Sequence, residues 1–224
     1  MRLARNRHPE QTVERILDEA ARLFVAKGFE KTSMQDIMRA TGLSKGAIYH
    51  HFPSKEDILL RICDRIGQEN AAALSRVRDD PSLNGAQKLK AIFRASLHSE
   101  SQARVLHMLP SLIDSPRFLA IQVQEIFTLV APMFIRPILE EGIRDGSIRA
   151  EHPAALAEAI IVLSDLWMNP LLMHDSRETV LERGKVFMAM TRAVGVDVLD
   201  EEMIEVYASY ASALSEAPPP VEEG

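Results

Sequence analysis

Almost every segment of this chain repeats its apolar residues at steps of three and four, and no run shows the alternating, β-branched pattern of a half-buried strand. That periodicity predicts an all-α fold. In the clearest stretch Val13, Ile16, Leu17, Ala20, Ala21, Phe24 and Val25 share one face, Pro9 stands near the start, and Gly28 follows Lys27 at the end. Such a face has to pack against something.

Three short elements follow, each with its own punctuation. Ser33-Met34-Gln35-Asp36 has the form of a capping box, Thr41-Gly42-Leu43 reads as a tight turn, and Ser44 is an N-cap before Lys45 to His50. The economical reading is helix, turn, helix, the unit that lays its second helix in a DNA major groove. Lys45 opens that helix, Gly46 and Ala47 have little side chain to hold the backbone off base edges, and Tyr49 and His50 are hydrogen-bond donors. Thr32 and Ser33 offer hydroxyls and N–H groups of the kind phosphates accept from, and Lys55 is a candidate phosphate contact at the start of the next helix.

Ser54-Lys55-Glu56-Asp57 caps that longer helix, whose apolar positions Ile58, Leu59, Ile62, Cys63, Ile66, Leu74 and Val77 run on to Asp79-Asp80-Pro81. It is long enough to join two domains. Beyond it helices are expected near 85–99, 102–113, 116–145, 153–168, 176–194 and 200–215, with Pro132 and Pro137 kinking or interrupting the third. The division expected is a helix-turn-helix domain over 9–69, a larger helical domain over 70–216, and a disordered Pro-rich tail over 217–224.

The net charge of −6 looks wrong for a DNA binder until it is divided along the chain. Residues 1–65 carry 12 Lys/Arg against 9 Asp/Glu, whereas residues 66–224 carry 14 against 23. A polyanion is attracted by the first part and repelled by the second. No apolar run reaches the roughly 18 residues of a membrane span, and Met1 to Arg7 lacks a secretory signal's apolar stretch, so the sequence reads as cytoplasmic with no membrane partner. The lone Cys63 excludes an intrachain disulfide and reads as a buried, inert thiol.

Other chemistries fit less well. Gly42-Leu43-Ser44-Lys45-Gly46 matches the G-x-S-x-G of a hydrolase elbow, but that elbow needs a preceding strand to aim its serine, and a helix precedes this one. A carboxylate-bridged metal enzyme would show Glu-x-x-His pairs, and none of the seven histidines has Glu three residues before it. No metal or cofactor is expected. A helical metal-binding protein or enzyme stays as the alternative, and a scaffold whose helix-turn-helix packs on another protein is a third.

The run from Thr32-Ser33-Met34-Gln35-Asp36-Ile37 through Thr41-Gly42-Leu43-Ser44-Lys45-Gly46-Ala47-Ile48-Tyr49-His50-His51-Phe52-Pro53-Ser54-Lys55-Glu56 resembles the TetR family of bacterial repressors. It departs from the family's usual alanines at Met38 and Thr41. The resemblance implies that Thr32 and Tyr49 hold phosphates, Lys45 and Gly46 approach bases, and Lys55 anchors the backbone beside His50. It also implies a homodimer on a palindromic operator, released when a small-molecule effector favours a state with altered half-site spacing, with the long helix from Lys55 as lever. Candidate interface residues are Leu156, Ile160, Leu163, Val180, Gly184, Phe187 and Thr191. An apolar effector pocket would draw on Phe93, Leu97, Met108, Phe127, Phe134 and Trp167, with His98 or His107 as a polar contact.

Overall fold

The computed structural model describes residues 9–97, 116–173 and 175–215. Among the described residues no strand occurs. The helices are α1 (Pro9–Lys27), α2 (Met34–Thr41), α3 (Lys45–His51), α4 (Lys55–Arg78), α5 (Gly85–Leu97), α6 (Pro116–Glu125), α7 (Arg136–Asp145), α8 (Pro153–Val162), α9 (Pro170–Met173), α10 (Arg177–Ala193) and α11 (Glu201–Ser215). The expected helix at 102–113, Met108, His98, His107 and the tail lie outside the described residues.

Two segments depart from regular α geometry. α6 continues into α7 through a π-helical stretch, Ile126–Ile135, and α8 ends in another, Leu163–Trp167. Pro132 lies inside the first. Its ring removes a donor and crowds the carbonyl four residues back, and widening the helix to an i→i−5 pattern relieves that crowding without a break. The sequence signal was therefore read as a kink where the chain winds more loosely. The short α9 carries too little periodicity to be seen in advance.

The described chain divides into two compact units between Glu69 and Asn70, inside α4. In the first, Ile16, Leu17, Ala20 and Phe24 of α1 share a core with Ile37 of α2, Ile48 of α3, and Ile58 and Ile62 of α4. The Phe24 and Phe29 rings meet edge to face at 5.1 Å and close the end of that core. Cys63 is only half-buried, less than its place in the apolar row suggested.

The second unit is built around Leu89, Phe93, Phe134, Ile135, Ile138, Leu139, Phe187, Val198, Leu199 and Met203. The stretch Leu119–Asp145 is, among the described residues, long and apolar enough to cross a membrane by length and composition, contrary to expectation. Ile126, Ala131, Phe134, Ile135, Ile138 and Leu139 of that stretch are buried in the unit's own core, while Leu119, Phe127, Met133 and Ile143 are exposed.

α5 and α7 approach unusually closely because glycines meet where they cross: a Cβ on Gly85 would lie 2.2 Å from the Gly142 Cα. The approach also satisfies the start of α5, since the Gly85 N–H donates to the Asp145 carboxylate at 2.9 Å and the Ala86 N–H to the Ser147 hydroxyl at 3.0 Å. One turn on, the buried Lys88 ammonium pairs with Glu141 at 2.7 Å. Gly85→Ala is expected to force these helices apart and destabilise the protein by about 1–3 kcal/mol, read as a lower midpoint in denaturant unfolding; an unchanged midpoint would show that the crossing has slack.

Candidate nucleic-acid interface

The chain enters the interface at Gly28, whose N–H donates to the Phe24 carbonyl at 3.0 Å and ends α1. α2 is then started by a complete capping box. The Asp36 N–H donates to the Ser33 hydroxyl at 3.2 Å, and the Asp36 carboxylate accepts from the Ser33 N–H at 2.9 Å and its O–H at 2.7 Å. Lys27 at 2.7 Å and Arg39 at 2.6 Å flank the same carboxylate. Donation from Lys27, then from Ser33, holds the Asp36 carboxyl well below the usual carboxylate range.

Gly42 ends α2 in the left-handed region, at φ 65°, which a side chain would strain. The Thr41 hydroxyl donates back to the Ile37 carbonyl at 2.8 Å, so the threonine at this departure from the family's alanine is paired inside the turn. Ser44 then caps α3, accepting from the Ala47 N–H at 3.3 Å. Ile48 is fully buried, and this fixes which way α3 faces. Ser44, Lys45, Gly46, Tyr49 and His50 are exposed and Ala47 half-exposed, so six of the expected DNA contacts share the outer side. Tyr49 is 42% exposed, and the Lys45 ammonium lies 5.8 Å from its ring centroid, a cation–π contact that holds the charge over α3.

Three expected contacts are placed differently. Thr32 is 1% exposed; its hydroxyl donates to the Gly28 carbonyl at 2.7 Å and its N–H to the Phe29 carbonyl at 3.2 Å. It therefore fastens the α1–α2 loop and has no donor left for phosphate. Ser33 is exposed, but the Asp36 carboxylate takes both its N–H and its hydroxyl. Lys55 points inward: its ammonium donates to the Phe29 carbonyl at 2.9 Å and the Glu30 carbonyl at 3.2 Å, 4.4 Å from the Phe29 ring centroid. It is a clamp between α4 and the loop. Lys31 and Gln35, both exposed beside α2's first turn, were not singled out; the signal was their place next to the free N–H groups of a helix start.

In the second unit Phe93, Leu97 and Phe134 are packed core, Phe127 is exposed, and Trp167 is half-buried with the Arg183 guanidinium 5.7 Å over its ring. The expected interface residues Val180, Phe187 and Thr191 are buried within the chain, and a Cβ on Gly184 would meet Ile204 of α11 at 2.5 Å. Ile160 is buried as well, while Leu156 and Leu163 are half-buried against the same core. Neighbouring helices of this unit already cover that side of α10. Its outer side carries Val186, Met190 and Val194, each 48% exposed and spaced by four.

The sequence profile of the bacterial regulatory proteins of the tetR family matches residues 16–62. The transcriptional repressor KstR2 of Rhodococcus jostii is 30% identical over 152 residues, 63% of this chain and 70% of that one. The chain belongs to the TetR family. Its α2–turn–α3 is the family's helix-turn-helix, and 51% identity to the uncharacterized regulator YerO of Bacillus subtilis falls within a 51-residue match, 23% of this chain and only 18% of YerO's length. The fold recurs over most of the chain in a TetR-family regulator from Syntrophomonas wolfei, with a TM-score of 0.59, 18% identity, and 95% and 99% of the two chains covered.

Acid should weaken this TetR-family interface through Asp36. With its folded pKa depressed, the carboxylate stabilises the fold above its ordinary value of 3.8, and that contribution fades as pH falls below it. Asp36→Asn is expected to be less stable near neutral pH and to flatten the acid limb of a stability–pH curve; an unaltered acid limb would contradict the assignment.

Proposed function

We propose that this TetR-family protein is a dimeric repressor that binds a palindromic operator through the outer face of α3 and is released by a small-molecule effector. The observation that carries it is the sorting of α3, with Ile48 inside and Lys45, Gly46, Tyr49 and His50 outside. One short helix offers too few base contacts for useful specificity, so two half-sites read by a two-fold dimer are the natural requirement. Lys45 is suited to guanine O6 and N7, Ala47 to a thymine methyl group, and Tyr49 to a phosphate oxygen. Lys31 and Gln35 supply further phosphate contacts. The named relative KstR2 is a repressor, which supports repression over activation, and a regulator of this kind acts in the cytoplasm with no catalytic step.

The test is fluorescence anisotropy with a labelled fragment of the DNA upstream of the protein's own gene, titrated over a range of salt with random competitor. Lys45→Ala should lose specific binding and reduce the salt slope by about one. Lys55→Met should lower thermal stability and leave the slope of the folded protein unchanged. If Lys45→Ala bound as the parent does, α3 would not be the reading helix.

For the dimer, the stripe Val186, Met190 and Val194 is the surface put forward, since three half-exposed apolar side chains on one helix face are what a second copy would cover. Met190→Asp is expected to shift sedimentation from dimer to monomer and to weaken operator binding with α3 intact. A dimer that persists in this variant would place the interface elsewhere.

A further inference from the structure

Between the start of α5, the turn that follows α7 and the end of α10 lies a cleft of about 180 Å³, wholly within the second unit. Its floor is apolar: Leu89, Ile148 and Val196 are buried, with Ala86 beside them. The chain around it is packed backbone on backbone. A Cβ on Gly195, which sits at φ 84°, would lie 1.8 Å from the Arg149 carbonyl oxygen, and Gly85, next to Ala86, meets Gly142 at the helix crossing described above. The turns on either side are pinned as well, since the Ile148 N–H donates to the Gly142 carbonyl and the Val196 N–H to the Thr191 carbonyl, each at 2.9 Å. A hollow framed by fixed backbone does not close by side-chain repacking, which is the property of a preformed site.

The polar groups of the cleft are not equivalent. Both Asp197 oxygens are taken, one by the Lys90 ammonium and the other by the Arg192 Nε, each at 2.9 Å. The Asp145 carboxylate, which accepts from the Gly85 and Ser147 N–H groups at 2.9 and 2.8 Å, is engaged on its own side. Arg192, by contrast, is half-exposed and spends only its Nε, so its two Nη groups make no hydrogen bond among the described residues. Ser147 accepts from the Ala86 N–H at 3.0 Å and keeps its own proton to donate. Acceptors here are used and donors are left over.

We propose that this cleft is a binding site for a small monocarboxylate with a compact apolar body, its carboxylate end-on against the Arg192 Nη groups and the Ser147 hydroxyl and its body on the floor formed by Leu89, Ile148 and Val196. A cation would have to displace Lys90 or Arg192 from Asp197, whereas an anion meets donors that are already free, in the fork geometry that suits a carboxylate. The volume sets the size. An apolar cavity of about 150 Å³ takes benzene, so the acid has the bulk of benzoate or pentanoate. The site does not depend on how the protein acts at DNA.

The test is calorimetric titration of the full-length protein with pentanoate and benzoate, each against its neutral amide, and with acetate as the same charged group without the body. At least one of the two acids should bind about fivefold or more tightly than both its amide and acetate, a ratio set by the partial exposure of Arg192. Arg192→Gln should bring that acid down to the level of its amide. Ala86→Leu keeps the N–H that Ser147 accepts and fills the floor, and should weaken acid and amide alike; Arg192→Gln changes only a half-exposed side chain and so tests the site even where Ala86→Leu does not fold. No binding by either acid, acids no tighter than their amides or than acetate, or an acid affinity unchanged in Arg192→Gln would each overturn the proposal.

Discussion

Seven residues are too few to hold a helix in water, so α3 exists only because Ile48 is buried beneath it. That burial settles the orientation of everything else on the helix. With Ile48 turned inward, Lys45 and Tyr49 flank the opposite side, and Gly46 and Ala47 leave the backbone thinly covered between them. Ser44 and Phe52 secure the two ends: one accepts from the Ala47 N–H, and the other donates its own N–H to the Ile48 carbonyl at 2.9 Å. The exposed donors therefore stand on a rigid base, which is what base-edge recognition requires of a short helix.

Much of this was legible in the sequence because the controlling interactions are local. Ser33 to Asp36 spells its capping box in four consecutive residues, Gly42 marks the left-handed turn, and Ser44 stands directly before the helix it caps. Lys55 is placed differently from the expectation because its partners are not local, whereas Thr32 is held by the Gly28 and Phe29 carbonyls only four and three positions back. The Lys55 ammonium bonds to carbonyls about 25 positions earlier, and which carbonyls a loop presents depends on how α1 ends. A lysine at a helix start has the same sequence signature whether it grips a phosphate or a loop.

The second unit was harder to read for a different reason. α10 has two apolar faces, and periodicity finds both without saying which is covered by the same chain. Val180, Gly184, Phe187 and Thr191 pack inward, where the bare Cα of Gly184 admits Ile204, while Val186, Met190 and Val194 remain outside. Of the aromatic residues offered for a pocket, Phe93 and Phe134 are buried and Phe127 is exposed, a sorting that periodicity does not give.

The most direct measurement is a nuclease footprint of the purified protein on the DNA flanking its own gene, in the presence of excess random DNA. Two protected half-sites related by a dyad, about one helical turn or a small multiple apart, are expected, with Tyr49→Ala removing both together. Protection that is uniform, vanishes under competitor, or survives loss of the outward face of α3 would contradict the assignment of that helix as the part of the protein that reads DNA.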